Sequence, residues 1–596
     1  MALRYLVLAS RGGKLDDGLV DAVGERTGLV THWRSSRLAV LTSEQRSPLE
    51  IGDGAGTIIG DLFHRHGSGP AIRDFDAASR VGLAAAPVRE LLERYWGGYL
   101  AVWTDGELVR ALRDPSGQLP CCYAFGPRAV AFASDPRLLI DAGVVNVSID
   151  WGGVATTLYV DDLAQIRTGL TGVSDLLAGN LATVDERGCS QAVCWSPWHH
   201  VSNPLEVDYS VHVERLRRAV EQCGRGWVAT FDKSILAVSG GLDSSILASC
   251  VAGSPEVECF TLRTNEPRGD ETIYAEELCK WCSLPLETRT YRLDRADIMQ
   301  SAVAHLPKPG GRTQMVAYDE TVIRQMAARS ATAFFTGAGG DNVFYNTRSV
   351  RPIVDRYLAA PTVPGLLATL RDLAQVTEAS IWEVARRAFS VPRRRGPKYS
   401  WPFDPQFLHP GWIGHLIREM PSHPWLEAPT DALPGKCGHV AMITRAQHYM
   451  HGHDRRLNFT EIAPLLSQPV VEAALAIPSW MACEGGVDRS AARRAFAPKL
   501  PSNIIRRRMK GGPDAFAMEI LRSNYDLVRN RLLGGQLAAN GIINKPELEV
   551  ALAKDRMTHG TNYVRLLLLL DTESWIEAWQ SSADQHNISA RGSVAS

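Results

Sequence analysis

Up to about residue 200 the apolar positions come in short runs, at residues 4–9, 38–42, 57–63, 99–104 and 129–133, with turn-forming residues between them. Short apolar runs bounded by turns predict strands, and so a β-rich domain. The period then changes. Val213, Leu216, Val220, Cys223 and Trp227 recur every three or four residues, which is the spacing of one helix face. The polar stretch through Asn203-Pro204 precedes the change and sets a boundary near residue 205, dividing the chain into 1–205 and 206–596.

Beyond the boundary the pattern alternates: strand 235–238, helix 244–251, strand 257–262, helix 273–282, strand 286–291 and, later, strand 331–336. Strand and helix in turn predict an α/β fold with a doubly wound parallel sheet. From about residue 345 the pattern is mostly helical, broken by a basic, proline-bearing stretch at 386–398 that reads as a solvated loop rather than a dock for an acidic partner. The apolar run 566–570 is followed by Asp571 and Glu573 and falls well short of the roughly 20 residues that span a bilayer, so it reads as a buried C-terminal helix.

A chain of 596 residues exceeds what a single core fills, which agrees with two domains. With 64 basic against 65 acidic residues, nothing marks nucleic acid as a partner. The apolar run at the N-terminus is too short for a signal peptide, and the 11 cysteines follow no regular spacing, so a cytoplasmic location is expected. Cys279 and Cys282 form the one CxxC. They fall in a helical pattern that also places Tyr274 and Leu278 on one face, and they read as core. His448, His451 and His453 are expected to be polar packing near the cleft rather than metal ligands.

Ligands of doubly wound sheets sit at the carboxyl ends of the strands. Two loops fall there: Ser239-Gly-Gly-Leu-Asp-Ser-Ser245 and Gly337-Ala-Gly-Gly-Asp341. The first follows a strand and opens a helix, so its backbone N–H groups and hydroxyls converge on a phosphate-sized anion. Asp243 would be repelled by phosphate unless a divalent cation lay between them, which implies Mg2+.

The first loop is the SGGxDS signature of the ATP-pyrophosphatase enzymes and resembles that of asparagine synthetase and its relatives. The stretch Thr336-Gly-Ala-Gly-Gly-Asp-Asn342 is similar to the family's second loop. The resemblance implies ATP contacts from Ser239, Gly240, Gly241, Asp243, Ser244, Ser245, Leu262, Gly337 and Gly339, with Asp243 and Asp341 sharing Mg2+. It implies that Lys510, in Arg506-Arg-Arg-Met-Lys510-Gly-Gly, is the catalytic lysine, preceded by Ala463-Pro-Leu-Leu466 where relatives carry a Pro-Phe-Leu-Asp-like motif. The N-terminal domain resembles the family's glutaminase half, an N-terminal-nucleophile sandwich, through Tyr95-Trp-Gly-Gly-Tyr-Leu-Ala-Val-Trp103, Arg113-Asp-Pro-Ser-Gly117 and Phe132-Ala-Ser-Asp135. It departs at Ala2, where that half needs a cysteine, so a glutaminase-dead domain is expected.

Without glutamine-derived ammonia the nitrogen must come from a substrate amine. β-Lactam synthetases, which deprotonate a weakly acidic nitrogen, carry a tyrosine where this chain has Ala338. An N-terminal amine, with an ordinary pKa near 7.7 to 8.0, needs less help from a base. The chain looks most like the lasso-peptide cyclases, which join an Asp or Glu side chain of a precursor peptide to its N-terminus. That resemblance implies a precursor-peptide substrate, a leader-binding protein and a leader peptidase as partners, and a peptide-binding surface within 345–440. An amidoligase acting on a small acid and amine is the alternative reading. Intact Asp243, Asp341 and Lys510 speak against a degenerate regulator.

Overall fold

The computed structural model describes residues 2–43, 48–52, 54–201, 207–263, 270–391, 399–508 and 514–594. The N-terminal part holds two six-stranded antiparallel sheets. In the first, Tyr5–Ser10 lies between Leu38–Thr42 and Ala129–Ala133. Residues on alternate positions face opposite sides. Tyr5, Val7, Val40 and Phe132 meet Leu100, Val102, Ala111 and Ala182 of the other sheet to fill the sandwich.

The opposite faces are apolar too, so each needs a further layer. Leu6, Leu8 and Leu41 pack under helices Asp17–Thr27 and Pro136–Asp141. Ile58, Leu62 and Ala101 pack under Ala77–Ala85 and Pro87–Arg94. Five of the twelve strands were legible as short runs; the covering helices, eleven residues or fewer, were not.

The second part is built on five parallel strands, β1 (Ser234–Ala237), β2 (Val257–Arg263), β3 (Leu286–Thr290), β4 (Ala333–Phe335) and β5 (Thr460–Ile462), in the order β3-β2-β1-β4-β5. Leu236, Cys259 and Phe335 pack against helices α1 (Tyr209–Val228), α2 (Leu242–Cys250) and α3 (Thr272–Cys282). On the other face, Ile235, Phe260 and Phe334 meet Val322 and Met326 of α4 (Val316–Arg329). This is the doubly wound α/β sheet expected from the sequence. The strand order reverses at β1, so the loops after β1 and β4 face one crevice.

The two parts share buried contacts. Gln118 donates from Nε2 to the Glu461 carbonyl at 2.8 Å and accepts from the Ala463 N–H at 3.1 Å. The Trp195 indole donates to Glu472 Oε1 at 3.0 Å. The C-terminal helix Asn562–Val594 buries Leu566, Leu569, Leu570 and Trp575 in a cluster with Val154 and Leu158 of the N-terminal part. The expected boundary near 205 falls among residues 202–206, outside the described residues, as do 392–398 of the basic stretch. Helices Arg351–Ala359, Val363–Thr377 and Ile381–Ser390 pack together around Ile353, Leu373 and Val384. Among the described residues no helix is long and apolar enough to cross a membrane.

Candidate active site

The loop after β1 is shaped by steric need. Gly240 has φ +62°, and a Cβ there would lie 2.1 Å from Cβ of Tyr274 on α3. Only glycine takes that conformation at that distance. The loop is held by its own hydroxyls: Ser239 N–H donates to Ser244 Oγ, and Gly241 N–H to Ser239 Oγ, each at 3.3 Å.

The loop after β4 presses against the first through its glycines. A Cβ on Gly337 would lie 2.8 Å from the Ser244 nitrogen, and one on Gly340 would lie 2.4 Å from Cγ of Asp243. Gly339, at φ +80°, sits against Leu466 of the Ala463-Pro-Leu-Leu segment. The glycines therefore let two loops meet backbone to backbone and bring Asp341 to Asp243.

Both loops open onto a cavity of about 960 Å³. Ser239, Gly241, Asp243, Ser244, Leu262, Gly337, Gly339 and Asp341 line it, as does Ala338. Gly240 and Ser245 do not. Gly240 shapes the turn, and Ser245 lies fully buried beneath the loop with its hydroxyl in the interior. Asn346, Arg348, Gln375 and Glu378 also belong to its wall.

Lys510 lies outside the described residues, but the chain on both sides of it reaches the cavity, with Arg507 and Arg508 before it and Phe516 and Glu519 after it. Arg507 Nη2 pairs with Glu271 Oε1 at 2.6 Å, and its guanidinium lies 4.0 Å from the Tyr274 ring centre.

A residue the sequence reading missed holds the centre. Nη1 of Arg489 lies 3.2 Å from both carboxylate oxygens of Asp243 and 2.5 Å from Oδ1 of Asp341. Burial opposes the charge on Arg489, yet the carboxylates of Asp243, Asp341 and Asp488 outweigh it and raise the guanidinium pKa. The signal was the run Gly485-Gly-Val-Asp-Arg489, a glycine turn ending in a charged pair.

One nitrogen reaching both Asp243 and Asp341 shows that a single cation can bridge them. Among the described residues no cluster of three or more His, Cys, Asp or Glu could hold a metal. Two carboxylates with the remaining ligands from phosphate and water is what Mg2+ accepts, so the donor set fits that ion.

The histidines are polar packing and none lines the cavity; His451 sits at the junction between the two parts. His451 Nε2 lies 2.9 Å from the Gly117 carbonyl, and His453 Nδ1 lies 2.9 Å from Glu461 Oε2. Cys279 and Cys282 are buried core residues, as expected, and burial pushes the Cys282 thiol up to about 11. Ala2 is itself buried, at 3% exposure.

Residues 215–581, more than half of the chain, match the asparagine synthase family. No curated protein matches. Two solved structures are similar over 48% of the chain, each at 8% identity. One is glutamine phosphoribosylpyrophosphate amidotransferase from B. subtilis complexed with ADP and GMP (TM-score 0.21), of which this chain spans 65%. The other is an allosteric regulatory enzyme of purine biosynthesis (TM-score 0.19), of which it spans 74%.

Proposed function

The chain belongs to the asparagine synthase family and is an ATP-dependent carbon–nitrogen ligase of that type, and from this premise we propose that its acid and its amine lie on one peptide, which it closes into a macrolactam. The observation that carries this reading is the size of the cavity. It encloses about 960 Å³, and beyond the two glycine loops its wall takes in Arg348, Gln375 and Glu378, which leaves room beside a nucleotide for something larger than a free amino acid. Ala338 supplies no side-chain base there, which suits an N-terminal amine that is partly neutral near pH 7.

In the reaction proposed, an Asp or Glu carboxylate of the peptide attacks the α-phosphorus of ATP, and the bond to pyrophosphate breaks. The peptide's N-terminal amine then attacks the acyl carbon, the acyl–phosphate bond breaks to release AMP, and the amine loses a proton. The chain's part is to bind and orient. Backbone N–H groups at the start of α2 would meet the phosphates, and Ser239 and Ser244 would offer hydroxyls. Asp243 and Asp341 would hold Mg2+, which neutralises phosphate charge. Lys510 would supply a cation to the oxygens that gain charge in both steps.

Ala2 in place of a cysteine supports a domain that hydrolyses no glutamine. The precursor peptide, a leader-binding protein and a leader peptidase are the partners this reading needs.

The test is to incubate the purified chain with Mg-ATP and leader-free precursor peptide and to follow AMP, pyrophosphate and loss of one water from the peptide. Peptide-dependent AMP with a cyclic product is expected. AMP formation with aspartate and ammonium but not with peptide would instead establish the small-molecule amidoligase reading, and ADP with phosphate would overturn adenylation.

A further inference from the structure

Arg489 adopts a left-handed backbone conformation, φ +49°, which is unfavourable for a residue with a Cβ and persists only where its surroundings fix it. They do so here. Gly485 and Gly486 turn the chain, and a Cβ on Gly486 would lie 1.8 Å from Oε1 of Gln375 on Val363–Thr377. Asp488 accepts from Arg489 Nε at 2.8 Å and from Arg493 Nη2 at 2.8 Å. Arg493 is in turn anchored to the carbonyls of Ile505 and Arg507, at 2.5 and 3.0 Å. The guanidinium is thus aimed from a braced backbone, and its side chain is 12% exposed.

Its Nη1 contacts both Asp243 and Asp341 from the position where a cation bridging the two must stand. Two cations cannot share that space, since they would overlap and repel at contact distance. Resting on the reading of these aspartates as the Mg2+ ligands, we propose that Arg489 and the divalent cation are alternative occupants of the Asp243–Asp341 pair. Metal then binds strongly only together with a triphosphate, which offers the displaced guanidinium a new anionic partner in the cavity it already lines. Arg489 is a positioning residue on this account. It holds two like charges together in the geometry the metal needs and couples metal binding to nucleotide binding.

The experiment is Mn2+ binding by electron paramagnetic resonance to the full chain and to Arg489→Met, each with and without α,β-methylene-ATP. Without nucleotide, Arg489→Met should bind Mn2+ about 10-fold or more tightly than the parent, the scale of one charge-assisted contact. The analogue should raise Mn2+ affinity strongly in the parent and little in the variant. Arg489→Lys should fall between them. Arg489→Gln gives the same comparison if the methionine variant does not fold. Equal nucleotide-free Mn2+ affinity in the parent and a folded neutral variant overturns the proposal. No Mn2+ binding by the parent even with the analogue overturns the metal assignment and the proposal with it, while leaving peptide-dependent AMP formation to be judged separately.

Discussion

Arg507 donates from Nη1 to the carbonyl of Ser239 at 3.2 Å while its Nη2 pairs with Glu271 at 2.6 Å. The segment that leads to Lys510 is thereby fastened to the first residue of the glycine loop after β1. Arginine's planar fork suits two directed contacts, which an ammonium makes poorly. Arg507→Lys should lower kcat for AMP release about 10-fold while KM for ATP stays within about 3-fold, because the cost is placement rather than binding. Glu271→Gln should behave alike, and the double variant should be no worse than the singles. Steady-state kinetics of the three checks this; additive losses would show that the two residues act separately.

Asp243→Ala and Asp341→Ala should each abolish Mg2+-dependent, peptide-stimulated AMP and pyrophosphate formation, since either leaves a cation one carboxylate short. Radiolabelled ATP with product separation measures it. Retention of parental turnover by either variant would remove that residue from the site.

Lys510→Ala should leave ATP binding near the parental value, because the glycine loops carry most of it, and should lower kcat by about 10²- to 10³-fold. Arginine should rescue poorly. Calorimetric ATP binding beside single-turnover rates separates the two effects; normal turnover at saturating substrates would make this lysine a surface residue.

Gly340→Ala places a methyl 2.4 Å from Cγ of Asp243, so the two loops must part. A cost of about 1–3 kcal/mol in stability is expected, with weakened ATP binding at temperatures where the variant is folded. Thermal melting and nucleotide titration together test this, and a parental profile in both would mean that the loops do not touch.

Buried His453 pairs with half-buried Glu461 beside Asp319 and Arg312. Burial pushes the Glu461 carboxyl up, but His453 and Arg312 overcome this and bring it down to about 2. A depressed carboxylate contributes stability above its unfolded pKa of about 4.3, and that stability is lost as pH falls toward the folded value. The His453 pKa is raised. Burial opposes its charge but Glu461 and Asp319 favour it, so its contribution is complete below about 6.5 and fades as pH rises above that. Glu461→Gln should therefore cost about 3 kcal/mol near pH 6, with the deficit shrinking below about pH 4. Urea unfolding from pH 3 to pH 8, roughly the window set by these pKa values, measures it. A deficit independent of pH would show that the pair is not ionised.

What the sequence determined by itself is local. Ser239-Gly-Gly-Leu-Asp-Ser-Ser245 must turn where it does because glycine sits at the one position with positive φ, and the alternation of strand and helix around it is a periodicity that few residues establish. The apolar run 566–570 announced a buried helix for the same reason. Tertiary structure decided what depends on residues far apart in the chain. Arg489 meets Asp243 across 246 positions and Asp341 across 148, and no local pattern encodes such a meeting. Strand β5 has three residues, too few to show a period, and exists because β4 offers it unpaired backbone groups. His451 could be placed at the junction of the two parts rather than at the cleft only once Gly117 was seen beside it. Periodicity is set by neighbours in the chain, whereas a site is set by charges that find one another only after the sheet has closed around them.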